Sequence, residues 1–236
     1  MNDIYQRITV AGEKQDSAEI IATLMQIKSG RLKNDLKLLN FFREIPVSYA
    51  ASVESVEESF AELRVHQIQA VVISAEKLTV LKSGHFPRDV IANVNYVNIE
   101  KSRVVLSSFS YALVRADRRM SVRVALSEPV HACFTSPDAA VSGRMHDMSL
   151  TGISINVAQD PGIPLTEKGE LAVTLSSGPL KVPATLLKVV TVEGGYRLVF
   201  EIAPTRATEN SISQYIFQRQ VEIIKELKDH PGIVNE

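Results

Sequence analysis

Apolar side chains recur at every second position along most of this chain from Val47 onward, and that period of two is what most narrows its possible folds. Val47, Tyr49, Ala51 and Val53 alternate with small or polar residues. Leu63 and Val65 alternate with Glu62, Arg64 and His66, and Ala92, Val94 and Tyr96 alternate with Asn93, Asn95 and Val97. Val104 to Leu106 closes the series, and Ala70-Val71-Val72-Ile73 reads as a buried strand within it. Successive side chains of a strand point to opposite faces, so alternation marks half-buried strands. Several such strands without intervening helices predict an antiparallel barrel or sandwich. This first domain is placed at residues 1–112.

A second β series follows in residues 113–236. Val122 and Val124 begin it, His131 to Phe134 continues it, and Gly143 to Ser149 comes next. Ile153, Ile155 and Val157 alternate with Ser154 and Asn156, and Leu171, Val173 and Leu175 alternate again. Pro179 to Val192 reads as one long strand or two short ones, Gly194-Gly195 is a hairpin signal, and Tyr196 to Ile202 returns. That is about six or seven strands in roughly ninety residues, which fits a small barrel.

Helical spacing is confined to the two ends. The first fifteen residues are polar and are expected to be loosely held. Asp16 followed by Glu19 predicts a capping box, ahead of Ile20, Ile21, Leu24 and Ile27 at helical intervals, with Gly30 as the stop. Leu32, Leu36, Leu39 and Phe42 suggest a second helical stretch that Pro46 would end. Near the C-terminus, Thr205 or Thr208 can cap a helix whose apolar stripe is Ile212, Tyr215, Ile216, Ile223 and Leu227. Lys225 and Lys228 suit its negative end, and Pro231-Gly232 stops it.

Between the two β series lies a local concentration of positive charge. From Arg115 to Arg123 there are four arginines and one acid, Asp117, in a chain whose formal net charge is only −1. Arginine presents a planar fork of N–H donors that suits a phosphate or the O6/N7 edge of guanine. Downstream, Asp147-Met148-Ser149-Leu150-Thr151-Gly152 reads D-x-S-x-x-G. Asp147 and Ser149 are two apart, so on a strand they project from one face. Gly152 allows a sharp turn or a close approach to the main chain.

Arg119 and Arg123 in R-x-x-x-R, followed by Asp147, Ser149 and Gly152, resemble the signature of the PilZ family of bacterial cyclic di-GMP receptors. Arg118 matches an extra arginine common just before that pair. Ser121 and Val122 stand where many members carry aromatics, and Thr151 replaces a frequent second glycine. The resemblance implies that Arg119 and Arg123 meet guanine edges and phosphates. Arg118 would reach a second ligand molecule or the backbone of the first. Asp147 would accept from a guanine N–H or hold an arginine in place, Ser149 would bond a base or phosphate, and Gly152 would keep the turn open beneath the ligand. The order of first barrel, arginine connector, six-stranded PilZ barrel and final helix is similar to the YcgR-type flagellar brake proteins. It implies a mainly β chain, with a YcgR-like split barrel before the PilZ barrel and a helix at each end. A ligand clamped between connector and barrel would then fix the angle between the domains. The partner meeting the reoriented surface would be flagellar motor, polysaccharide or virulence machinery.

Other function classes find little support. A near-neutral chain is a poor general binder of DNA or RNA. His146, Asp147 and Ser149 imitate a catalytic triad, but adjacent strand residues face opposite ways, so His146 is not expected beside Ser149 as its base. The five histidines are scattered, with no H-E-x-x-H and no C-x-x-C, so neither a metal site nor a cofactor is expected. The single cysteine, Cys133, fits a reducing cytoplasm, and no run approaches a membrane span. The last helix's stripe is read as core packing, with a coiled homodimer contact as the other use. The alternative to a receptor is a PilZ-fold interaction module that binds no nucleotide.

Overall fold

The computed structural model describes residues 4–114, 121–126 and 128–233. Its first sheet is built from β1 (Tyr5–Ile8), β2 (Lys37–Phe42), β3 (Ile45–Ala50), β4 (Ser52–Val56), β5 (Phe60–Arg64), β6 (Leu78–Lys82), β7 (Asp89–Asn98) and β8 (Arg103–Val114), with helices α1 (Glu13–Lys28) and α2 (Gln67–Glu76). The strand order is β3-β2-β6-β7-β8-β5-β4, and β1 pairs with β8. This curled sheet is a half-barrel, and α1 packs on β4 and β8 through Ile20, Ile21 and Leu24.

The second sheet comprises β9 (Val124–Ala125), β10 (His131–Thr135), β11 (Ala140–Met148), β12 (Gly152–Val157), β13 (Lys168–Leu175), β14 (Gly178–Val192) and β15 (Gly195–Ile202). Its order is β10-β13-β14-β15-β12-β11-β9, and the additional β10–β11 pairing closes a six-stranded barrel with β9 as an extra edge. Phe134 and Phe200 meet inside it with ring centroids 4.8 Å apart. Helix α3 (Arg206–Lys228) follows. Ile212, Tyr215, Ile216, Ile223 and Leu227 are buried, as the stripe predicts. Among the described residues no helix is long and apolar enough to cross a membrane.

Two compact units emerge. The first takes in the described residues of 1–42, 46–119 and 225–236, and the second those of 43–45 and 120–224. In the first, Leu227 joins a cluster with Val47, Val71 and Val72.

Five local expectations give way. The run 70–73 is the middle of α2, not a strand. A short apolar run carries no period that separates a buried helix from a buried strand. Here the His66 ring accepts from Ile68 N–H at 3.2 Å to cap the start, and Lys77 in the left-handed region (φ 61°) ends the helix. Conversely, Leu36, Leu39 and Phe42 do not lie on a helix. Leu39 and Phe42 are in β2, an interior strand buried from Leu38 to Phe41, whose apolar residues around the buried Asn40 imitated helical spacing. Arg43 and Glu44, both at positive φ (49° and 72°), make the two-residue hairpin into β3, an edge strand where Pro46 faces outward.

Residues 4–15 are held, not loose, and residues 1–3 lie outside the described residues. β1 pairs with β8, and Arg7 donates to Ser110 Oγ at 2.6 Å and Asn93 Oδ1 at 2.7 Å. Helix α1 starts four residues earlier than the capping box required. Gly12 is its N-cap, and the buried Asp16 carboxylate reaches back to accept from Val10 and Ala11 N–H at 2.8 Å each. Finally, register shifts after Ile91 and Val94 break the alternation of β7, leaving Tyr96 56% exposed.

Candidate functional site

Strand β11 carries the second half of the motif. Its pairing with β12 shifts between Met145 and Asp147, so His146 is an extra residue, and Asp147 then faces Ser154 while Met148 faces Ile153. The bulge turns Asp147 and Ser154 to the side opposite Met148 and Ile153, which fill the core. β11 ends at Met148, so Ser149 is not on the strand with Asp147, as simple alternation had it. Ser149 lies in the turn to β12. Its N–H and Oγ both donate to the Gly152 carbonyl, at 2.8 and 3.2 Å. The D-x-S-x-x-G spacing is thus the spacing of a tight hairpin. Gly152 is demanded by proximity, since a Cβ there would stand 3.2 Å from the Phe200 carbonyl oxygen of β15.

The arginine stretch meets this hairpin through β9, where Ala125 pairs with Asp147 and Val124 with Met148. Arg123, just before β9, brings Nη1 to 3.9 Å from Asp147 Oδ1, and Ser121 Oγ lies 3.4 Å from Thr151 Oγ1. The pair is an ion pair and is too long for a hydrogen bond. Arg118 and Arg119 lie outside the described residues.

Asp147 is 6% exposed and gathers basic groups. His146 Nδ1 stands 3.8 Å from Asp147 Oδ2, because the bulge cancels the alternation that would have turned it away. On β15, Arg197 Nε donates to Asn156 Oδ1 at 2.9 Å. Burial pulls this guanidinium below the usual arginine range, and the Asp147 carboxylate works in the opposite direction. Ser154, across the ladder from Asp147, has a buried hydroxyl with no hydrogen-bond partner among the described residues.

His146, Ser154, Asn156 and Arg197 were therefore missed as neighbours of the motif. The only sequence signal for Arg197 is a basic residue on the polar phase of a strand, which alone points nowhere. Its meaning comes from the order β15-β12-β11-β9. Chemically, the assembly offers cationic forks, one buried carboxylate, a serine turn and exposed backbone beside a glycine. That set can bind an anion carrying a hydrogen-bonding base. Among the described residues no group of three or more His, Cys, Asp or Glu is arranged to hold a metal. A cavity of about 580 Å³ in the same unit is lined by Glu128, His131, Tyr215, Arg219 and Glu222, and includes none of the motif residues.

Residues 117–218 match the model of the PilZ domain family. Over 129 residues the chain is 28% identical to an uncharacterized protein of Aquifex aeolicus (strain VF5), covering 54% of this chain and 62% of that relative's length. Among solved structures, MrkH of K. pneumonia in complex with c-di-GMP is similar at 14% identity, over 89% of this chain and 96% of that one, with a TM-score of 0.47. YcgR of Escherichia coli in complex with c-di-GMP is similar at 12% identity, over 92% and 98%, with a TM-score of 0.45.

Proposed function

We propose that this chain, whose residues 117–218 are a PilZ domain, is a bacterial cyclic di-GMP receptor without catalytic activity of its own. The observation that carries the reading is the 3.9 Å approach of Arg123 to Asp147. It brings two half-motifs that are far apart in sequence to one edge of one barrel, where a single ligand can touch both. Arg119 and Arg123 then take guanine O6/N7 edges and phosphates. Each bidentate arginine–guanine pair contributes about 1–3 kcal/mol of discrimination. Asp147 orients Arg123 until the ligand arrives and accepts from a guanine N–H afterwards. Ser149 bonds a base or phosphate, Gly152 leaves the ligand room over the turn, and Arg118 reaches a second ligand or the backbone of the first.

The output in this reading is a change in the arrangement of two domains, over residues 1–112 and 113–236. Ligand favours one arrangement of the two domains, and can do so only through differential affinity for it. The reoriented surface meets a cytoplasmic protein partner, of the flagellar motor or of polysaccharide or virulence machinery. The other reading is an interaction module that binds no nucleotide. It leaves the retention of Arg123, Asp147, Ser149 and Gly152 without a purpose. Titration with cyclic di-GMP separates the two. Small-angle scattering of the same samples tests the output: superimposable curves with ligand bound would remove the rearrangement and leave a receptor that signals through its surface.

A further inference from the structure

We infer that Arg197 is a ligand-contacting residue, whose guanidinium takes a phosphate of the bound dinucleotide from the β15 side of the site. This rests on the receptor reading given above and names a contact that neither half-motif contains.

The geometry assigns Arg197 a prepared fork. Asn156 Oδ1 accepts from Arg197 Nε at 2.9 Å and fixes the plane of the group. Nη1 and Nη2 then make no hydrogen bond or ion pair among the described residues. A partly buried cation with unused donors is costly unless something fills them. Two parallel N–H groups suit a phosphate, which accepts both at once. Pairing with Asp147 does not explain the arrangement, because that carboxylate already faces Arg123 and His146.

Its position completes the case. The strand order β15-β12-β11-β9 puts Arg197 and Arg123 on opposite sides of β11 and β12, and the three strand spacings from β9 to β15 span about 14 Å. Between them lie two adjacent outward rows: Asp147 faces Ser154, and Arg144 and Arg197 flank Asn156. The unpartnered hydroxyl of Ser154 sits in the first of these rows. A ligand with two phosphates needs two cationic ends, and the arginine motif supplies only the β9 end. Arg197 supplies the other.

The test is calorimetric titration of the full chain with cyclic di-GMP at low and moderate salt. It compares wild type with Arg197→Ala, Arg197→Lys and Asn156→Ala, each checked for folding by circular dichroism. Arg197→Ala should bind at least tenfold more weakly, and its affinity should depend less on salt, since one phosphate contact is gone. Arg197→Lys should recover part of the loss, and Asn156→Ala should weaken binding at least threefold by freeing the fork. Wild-type affinity within twofold in a folded Arg197→Ala would overturn the inference while leaving the receptor reading intact. Should that variant fail to fold, unchanged affinity in both Arg197→Lys and Asn156→Ala overturns it instead. Absence of binding by wild type would overturn the receptor reading, and this inference with it.

Discussion

Arg123 Nη1 stands 3.9 Å from Asp147 Oδ1, across the short ladder that joins β9 to β11. Nothing in the sequence spacing alone forces that meeting. It follows from Ala125 pairing with Asp147, and it holds an arginine fork against a buried carboxylate at the edge of a closed barrel. An ion pair that leaves the arginine side chain 32% exposed contributes little to stability, in the range of about 0–1 kcal/mol. Its value lies in where it leaves the fork.

Arg123→Ala should therefore weaken cyclic di-GMP binding at least tenfold, which corresponds to about 1.4 kcal/mol. Its urea unfolding midpoint should stay close to that of wild type. Normal binding would remove Arg123 from the site. Failure to fold would make the stretch structural.

Arg219 should behave in the opposite way. It is 2% exposed, its Nε donates to the Ala125 carbonyl at 3.0 Å, and its Nη1 donates to Glu222 at 2.9 Å. Arg219→Ala strips a buried charge network and leaves a carbonyl of β9 unsatisfied, at a cost of about 2–4 kcal/mol. Urea denaturation measures this. A change below about 0.5 kcal/mol, the range of an ordinary surface substitution, would contradict it.

Asp16 predicts a pH dependence. Hydrogen bonds from the Val10, Ala11 and Gly12 N–H groups hold its carboxyl below the usual carboxylate range, with Val10 the largest influence. A depressed folded-state value stabilises the fold above the unfolded pKa of about 3.9, and that stability is lost as pH falls through the folded value. Asp35, held low chiefly by the Ser83 hydroxyl, adds to the same acid limb. Asp16→Asn should be less stable than wild type at pH 7 and should lose less on acidification below about pH 4. Unfolding midpoints at pH 7 and pH 3 decide it, and parallel losses in the two proteins would refute the assignment.

The parts of the fold that were legible in the sequence were those with a local cause. Alternation at 171–175, the long strand 178–192 and the Gly194-Gly195 hairpin each stand as read, because side-chain phase and turn residues act over a few positions. The last helix was legible for the same reason. Burial on both faces hid β2 and α2: the buried stretch 38–41, with Asn40 inside it, and the apolar run 70–73 show no period that separates strand from helix. Arg123, Asp147, Ser149 and Gly152 were singled out by their spacing, and the structure brings these four to one hairpin and its neighbouring strand. The Met145–Asp147 bulge was invisible because one extra residue leaves no mark on composition, yet it decides which way His146 faces. Arg197 was invisible because its neighbours come from strand order, not from sequence distance.

Calorimetric titration of the full chain with cyclic di-GMP and, separately, cyclic di-AMP tests the central claim most directly. Guanine offers an acceptor at position 6 where adenine offers a donor, so an arginine fork should distinguish them. Saturable binding of cyclic di-GMP, at least tenfold tighter than cyclic di-AMP, is the predicted result. Equal affinity would show that the arginines read phosphate alone, and no binding of either nucleotide by the folded protein would contradict the receptor account.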